Sequence, residues 1–350
     1  MSSVNTLEIC LPDDWHLHVR DGEFLPDLLR HTASQFGRAI IMPNLKPPVT
    51  NADMAIAYKT RILNALPPGS NFEPLMVLYL TDNTSADDVK RAKEVGVVGF
   101  KLYPAGATTN SDAGVTDIKK CADALDAMSD CGMPLLVHGE VTHSEIDVFD
   151  REAVFIDQVL EPLRARHPGL KVVFEHITTK QAAQYVESAD TTRFGAIAAT
   201  ITPQHMLYNR NAIFTGGIRP HYYCLPILKR EEHRQELVRV AISGNSRFFL
   251  GTDSAPHLKG TKENACGCAG CYTAWHAMPL YAEVFDAANA LSRLEGFASQ
   301  FGPDFYGLPR NTGKLTLRRE TQQIPNEFPM GNGTVVPLRA GETIAWSIVG

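Results

Sequence analysis

Two histidines separated by one residue, His16 and His18, stand near the start of the chain. Alternate residues of an extended strand share a face, so both imidazoles can reach one cation, or both can hydrogen-bond at a strand end. With 12 histidines in 350 residues, the pair alone decides nothing. The residues that accompany it carry more weight. His138, His176 and Asp253 each close a separate short apolar run, and hydrophobic packing does not require such residues at equivalent points of several runs. Lys101 lies within VVGFKLYP, where a charged side chain is costly unless paired or modified. An ammonium has only donors and cannot bind a metal. A neutral amine can add carbon dioxide, and the carbamate formed has two anionic oxygens able to bridge two divalent cations; an ion pair with a carboxylate is the alternative. The chemistry open to this set is hydrolysis assisted by metal ions, which acidify water and polarise a carbonyl.

Such side chains converge only if the elements beneath them place them together. Eight short apolar runs recur, at 7–19, 38–45, 73–80, 97–104, 134–140, 171–177, 195–203 and 247–253. Continuous apolar runs of this length suit strands buried on both faces of a parallel sheet. Helix-rich intervals lie between them, among them 85–96, 116–132 and 229–244, the first two ending on Gly96 and Gly132. Eight strands alternating with helices predict a (β/α)8 TIM barrel, with the polar run ends on its C-terminal rim. An open doubly wound sheet is the competing architecture, and no early strand is followed by the G-x-G-x-x-G that such folds use for dinucleotides. The reading is one domain over 1–350, with 310–350 as an appendage of short strands outside the barrel. The long segments 203–226 and 254–274 belong on the active face.

Bulk properties exclude several classes. A net charge of −6 and a pI near 6.1 argue against nucleic acid, and no polybasic stretch suggests a membrane surface. No run of 18 apolar residues or basic-then-apolar export signal is present. Seven cysteines without scaffold spacing point to the cytoplasm.

Taken in order, DDWHLHVRDG, MPNLKPPVTN, GFKLYPAGATTN, VHGE, FEHI, GTDSAPH and CGCAGC resemble the amidohydrolase superfamily, and more narrowly its dihydroorotase family of short, stand-alone bacterial and fungal type. The resemblance runs from residue 13 to 271. It implies a cytosolic homodimeric enzyme of pyrimidine biosynthesis that interconverts carbamoyl aspartate and dihydroorotate, with two Zn2+ per subunit. His16, His18 and Asp253 would hold one zinc and His138 and His176 the other. Lys101, carbamylated by carbon dioxide to N6-carboxylysine, would bridge them with a hydroxide that attacks the ring amide, and Asp253 would shuttle the proton. Arg20, Asn44 and His257 would bind the substrate carboxylate, with His138 and the backbone near Leu225 and Ala269 as further contacts. The segment 104–115 would be a lid carrying Thr108 and Thr109. Only fifteen residues precede His16, which we expect to be too few for the β-sandwich of hydantoinase-like relatives.

Other readings remain open on the residues alone. Cys266, Cys268 and Cys271 could form a structural metal site of their own. Asp13 and Asp14 could orient the ligand histidines from behind. A different cyclic-amide hydrolase, or a catalytically silent scaffold barrel, would share the fold, because barrels host unrelated chemistries.

Overall fold

The computed structural model describes residues 5–265 and 267–349. Eight strands pair in chain order: β1 (Asp13–Leu17), β2 (Arg38–Ile41), β3 (Glu73–Tyr79), β4 (Gly99–Leu102), β5 (Leu135–Val137), β6 (Val172–Phe174), β7 (Ile197–Ile201) and β8 (Phe248–Leu250). Every ladder between neighbours is parallel. The ring closes just past β8, where Asp253 N donates to His16 O at 2.8 Å and His18 N to Ser254 O at 3.1 Å. Asp14 reinforces this seam. Its carboxylate accepts from Thr252 N (2.9 Å), Thr252 Oγ1 (2.5 Å) and His16 N (3.1 Å), and burial raises its pKa to about 7. The expected (β/α)8 barrel is therefore present.

The packing explains which end carries chemistry. Trp15, Ile40, Met42, Leu75, Val77, Leu136, Val173, Ala198 and Phe249 fill the barrel interior. The helix Phe301–Tyr306 plugs its floor, with Tyr306 stacked on Trp15 at 4.5 Å between ring centroids. Gly302 allows that approach, since a Cβ there would fall inside the Trp15 indole. Outside, helices such as Ala86–Glu94, started by a Ser85–Asp88 capping box, pack their apolar stripes on the sheet. An apolar floor leaves the C-terminal rim as the polar end.

One expectation changes in detail. The run 7–19 is two strands, because Pro12 lacks a backbone donor and breaks it. Its first half, Thr6–Cys10, leaves the barrel and pairs antiparallel with Lys314–Arg318, which also pairs with Ser347–Ile348. Segment 203–226 is built from short turns of helix at Pro203–Leu207, Arg210–Ile213 and Pro220–Tyr222. Among the described residues no helix is long and apolar enough to cross a membrane.

Candidate active site

The strand ends bring the predicted side chains together. Asp253 Oδ1 lies 3.2 Å from His18 Nε2 and 3.5 Å from His16 Nε2. These three residues offer ligand atoms within 4.8 Å of one another, the only such group of histidine, cysteine and acidic side chains among the described residues. His176 stands 4.9 Å from His16 and 4.8 Å from His138 between ring centroids, so the four imidazoles form an arc from His18 to His138. Arg20, His176 and Asp253 adopt left-handed backbone angles, φ of 57°, 39° and 45°. Such conformations are unfavourable for residues with a Cβ, and here they turn the chain sharply where it leaves each strand.

The electrostatics suit metal ligands. Burial, together with nearby cationic groups, holds His16, His18 and His176 below the usual imidazole range, and so in the neutral form that binds metals. Lys101 projects from β4, is fully buried, and its Nζ has no hydrogen-bond partner. Burial lowers its pKa to about 8, with Glu175 and Asp253 opposing the shift. More of the amine is therefore neutral near physiological pH than for an exposed lysine, and a neutral amine is the form that adds carbon dioxide. His138 and His176 supply only two donors for a second cation, and a carbamate on Lys101 would complete the set. The donors present thus fit a metal pair.

Two carboxylates that sequence reasoning missed set the imidazole orientations. Glu175 Oε2 lies 2.9 Å from His16 Nδ1, which leaves Nε2 to face Asp253. Thr200 Oγ1 donates to the same Glu175 oxygen at 2.5 Å and accepts from His176 N at 2.7 Å. Glu140 Oε2 lies 2.9 Å from His138 Nε2. The available signal was a glutamate within two residues of each strand-end histidine, in FEHI and VHGE. Asp13 does not orient a ligand: it pairs with Arg38 at 2.6 Å. Asp14 acts on the His16 backbone and not on its ring. Tyr103 was also missed; its hydroxyl is buried without a partner and its ring lines the cavity.

Beside the arc lies a small inner cavity, lined by Arg20, Asn44, Thr108, Thr109, Leu225 and Ala269 as well as the imidazoles and Asp253. His257 sits outside it, on a larger open vestibule, and reaches it through contacts. Its Nε2 is 3.0 Å from Arg20 Nη2 and 2.9 Å from Ala269 O. Burial and Arg20 push the imidazole down to about 2, so it is neutral. Arg20 Nε also donates to Pro256 O at 2.8 Å, which fixes the guanidinium. The 104–115 loop is folded inward: Asn44 Nδ2 donates to Thr109 O (3.1 Å), Asn110 Nδ2 to Asn44 O (3.0 Å) and Thr109 Oγ1 to Ala269 O (3.4 Å). Of the three-cysteine motif, Cys266 lies outside the described residues, and Cys268 and Cys271 belong to no group of three or more ligand atoms.

The model of the amidohydrolase family matches residues 13–320. A dihydroorotase from Cupriavidus pinatubonensis is 69% identical over 97% of this chain and 98% of its own length. One from Ralstonia nicotianae is 67% identical over 99% and 100%. Among solved structures, dihydroorotase from Campylobacter jejuni superposes with a TM-score of 0.90 at 37% identity, covering 100% of this chain and 99% of that one. The L-hydantoinase of Arthrobacter aurescens, at 15% identity and a TM-score of 0.81 over 98% of this chain and 83% of that one, shares the fold. The chain belongs to the amidohydrolase family, in its dihydroorotase branch.

Two outcomes are expected from this geometry. Glu175→Ala frees the His16 ring and lowers metal affinity about 10- to 100-fold, read by metal titration of the stripped protein. Unchanged affinity would show that Glu175 does not hold the ligand. Replacing Thr108 and Thr109 together by alanine depresses turnover with metal content intact, whereas wild-type turnover would show that the loop is not a lid.

Proposed function

We propose that the chain catalyses the reversible cyclisation of N-carbamoyl-L-aspartate to (S)-dihydroorotate and water, a step of pyrimidine nucleotide synthesis, at a centre of two Zn2+ ions. His16, His18 and Asp253 would hold one ion, His138 and His176 the other, and the Lys101 carbamate both. When bound, the ions acidify a water and polarise the scissile carbonyl. The observation that carries the reading is the placement of the Arg20–His257 pair beside the Asp253–imidazole cluster, which sets an anion clamp next to a ligand set for hydrolysis.

The chain's own residues perform the remaining tasks. Arg20 presents a planar fork of donors suited to the ring's exocyclic carboxylate, and Asn44 and His257 flank it. His138 and backbone atoms near Leu225 and Ala269 meet the ring amide. In the hydrolytic direction, Asp253 accepts the proton of the attacking water on a carboxylate oxygen. It then delivers that proton to the ring nitrogen as the carbon–nitrogen bond breaks, which leaves a free carboxylate and a ureido nitrogen. Cyclisation retraces the same path. Burial raises the Asp253 carboxyl, which favours a group that both takes and returns a proton. Thr108 and Thr109 on the inward loop shield the reaction from bulk water. Residues 1–350 act as one barrel unit with 310–350 as its appendage. By family likeness the enzyme works as a homodimer in the cytoplasm.

The metal-loaded protein is expected to hydrolyse dihydroorotate and to lose that activity on chelation. Asp253→Asn lowers turnover by about 10³-fold. Turnover of hydantoin or allantoin without turnover of dihydroorotate would overturn the assignment.

A further inference from the structure

Lys262 ends a short helical turn, Lys259–Lys262, in the loop after β8, and it is only 4% exposed. Its ammonium donates to three backbone carbonyls: Tyr223 O at 3.2 Å, Cys268 O at 2.8 Å and Gly270 O at 2.6 Å. Three donors meet three acceptors, which fills the hydrogen-bonding capacity of the group. None of these acceptors carries a full charge. A buried ammonium held only by dipoles is expensive, and a methionine of similar length would fill the space without that cost. What the lysine adds is direction.

The carbonyls come from two loops far apart in sequence, one following β7 and one following β8. Gly270 N→Tyr223 O, at 3.0 Å, also joins them. Leu225 lies two residues past Tyr223, and Ala269 lies between Cys268 and Gly270; both line the inner cavity. Ala269 O in turn contacts His257 Nε2 and accepts from Thr109 Oγ1 of the inward loop. Gly270 has φ +150°, and a Cβ there would collide with Ala255 O and crowd the His257 ring, so this segment is pressed against Ala255 and the His257 imidazole. The same ammonium therefore touches both of the chain segments proposed to meet the substrate ring through their backbone.

We propose that Lys262 is a positioning residue: its ammonium fixes the spacing of the 223–225 and 268–270 segments, and thereby the Leu225 and Ala269 backbone that meets the substrate and the His257 imidazole that contacts Arg20. This rests on the proposed function, so the wild type is assayed beside the variants. Lys262→Met is expected to raise the KM for dihydroorotate, and the Kd for orotate measured by calorimetry, about tenfold or more. Metal content should be unchanged and kcat should stay within about threefold. Lys262→Arg keeps a cation with several donors and should restore much of the lost affinity, which a role in volume filling alone would not produce. If Lys262→Met does not fold, Lys262→Gln takes the same test. Unchanged KM and Kd, or loss of metal and kcat with KM unmoved, would overturn the role of Lys262. An inactive, metal-loaded wild type would instead overturn the proposed function.

Discussion

Everything at the rim follows from holding four imidazoles, an amine and a carboxylate together out of water. Burial drives the His16, His18 and His176 imidazoles neutral, pushes the Lys101 amine down and lifts the Asp253 carboxyl, so these groups lose their charge more readily than in solvent. Such a cluster is unfavourable as a core and favourable as a ligand set, because neutral nitrogens and a carboxylate are what a divalent cation takes. Lys101 is the pivot. As an ammonium it would repel any cation held by its neighbours; as a carbamate it would bind two.

The barrel meets this requirement by making its closing seam part of the site. The backbone bonds that join β1 to the end of β8 run through His16, His18, Asp253 and Ser254, so ring closure and ligand placement are one event. Asp14 and Thr252 stiffen the seam from behind, and Glu175 and Thr200 aim the His16 ring. Small changes at these positions would propagate into metal geometry without touching a ligand. On the outer side, the proposed substrate contacts come from loops and depend on one another: the guanidinium of Arg20, the His257 ring and the Ala269 carbonyl form a continuous chain of contacts.

Much of this was legible in the residues. Strands buried on both faces need apolar runs, and a polar residue that ends such a run has nowhere to point but the rim, so His138, His176 and Asp253 declared their position. Less was legible where function uses residues that look ordinary. Glu175 and Glu140 resemble any acidic residue near a strand end until the imidazole partner is seen, and Tyr103 resembles core. The 7–19 run read as one strand although Pro12 interrupts it, and the pairing of its first half with Lys314–Arg318 shows that this half leaves the barrel. His257 was placed with the pocket by its motif, yet it faces the vestibule and reaches the inner cavity through its neighbours. Lys262 carried no sequence signal, since its partners are backbone carbonyls that leave no trace in residue identity.

The central claim is that Lys101 is carbamylated and shared by two cations. High-resolution diffraction from zinc-loaded crystals, with anomalous data at the zinc edge, tests it most directly. The account predicts two anomalous peaks, one against His16, His18 and Asp253 and one against His138 and His176, with branched density extending from Lys101 Nζ to both. A single peak, or an unmodified Lys101 amine beside two ions, would contradict it.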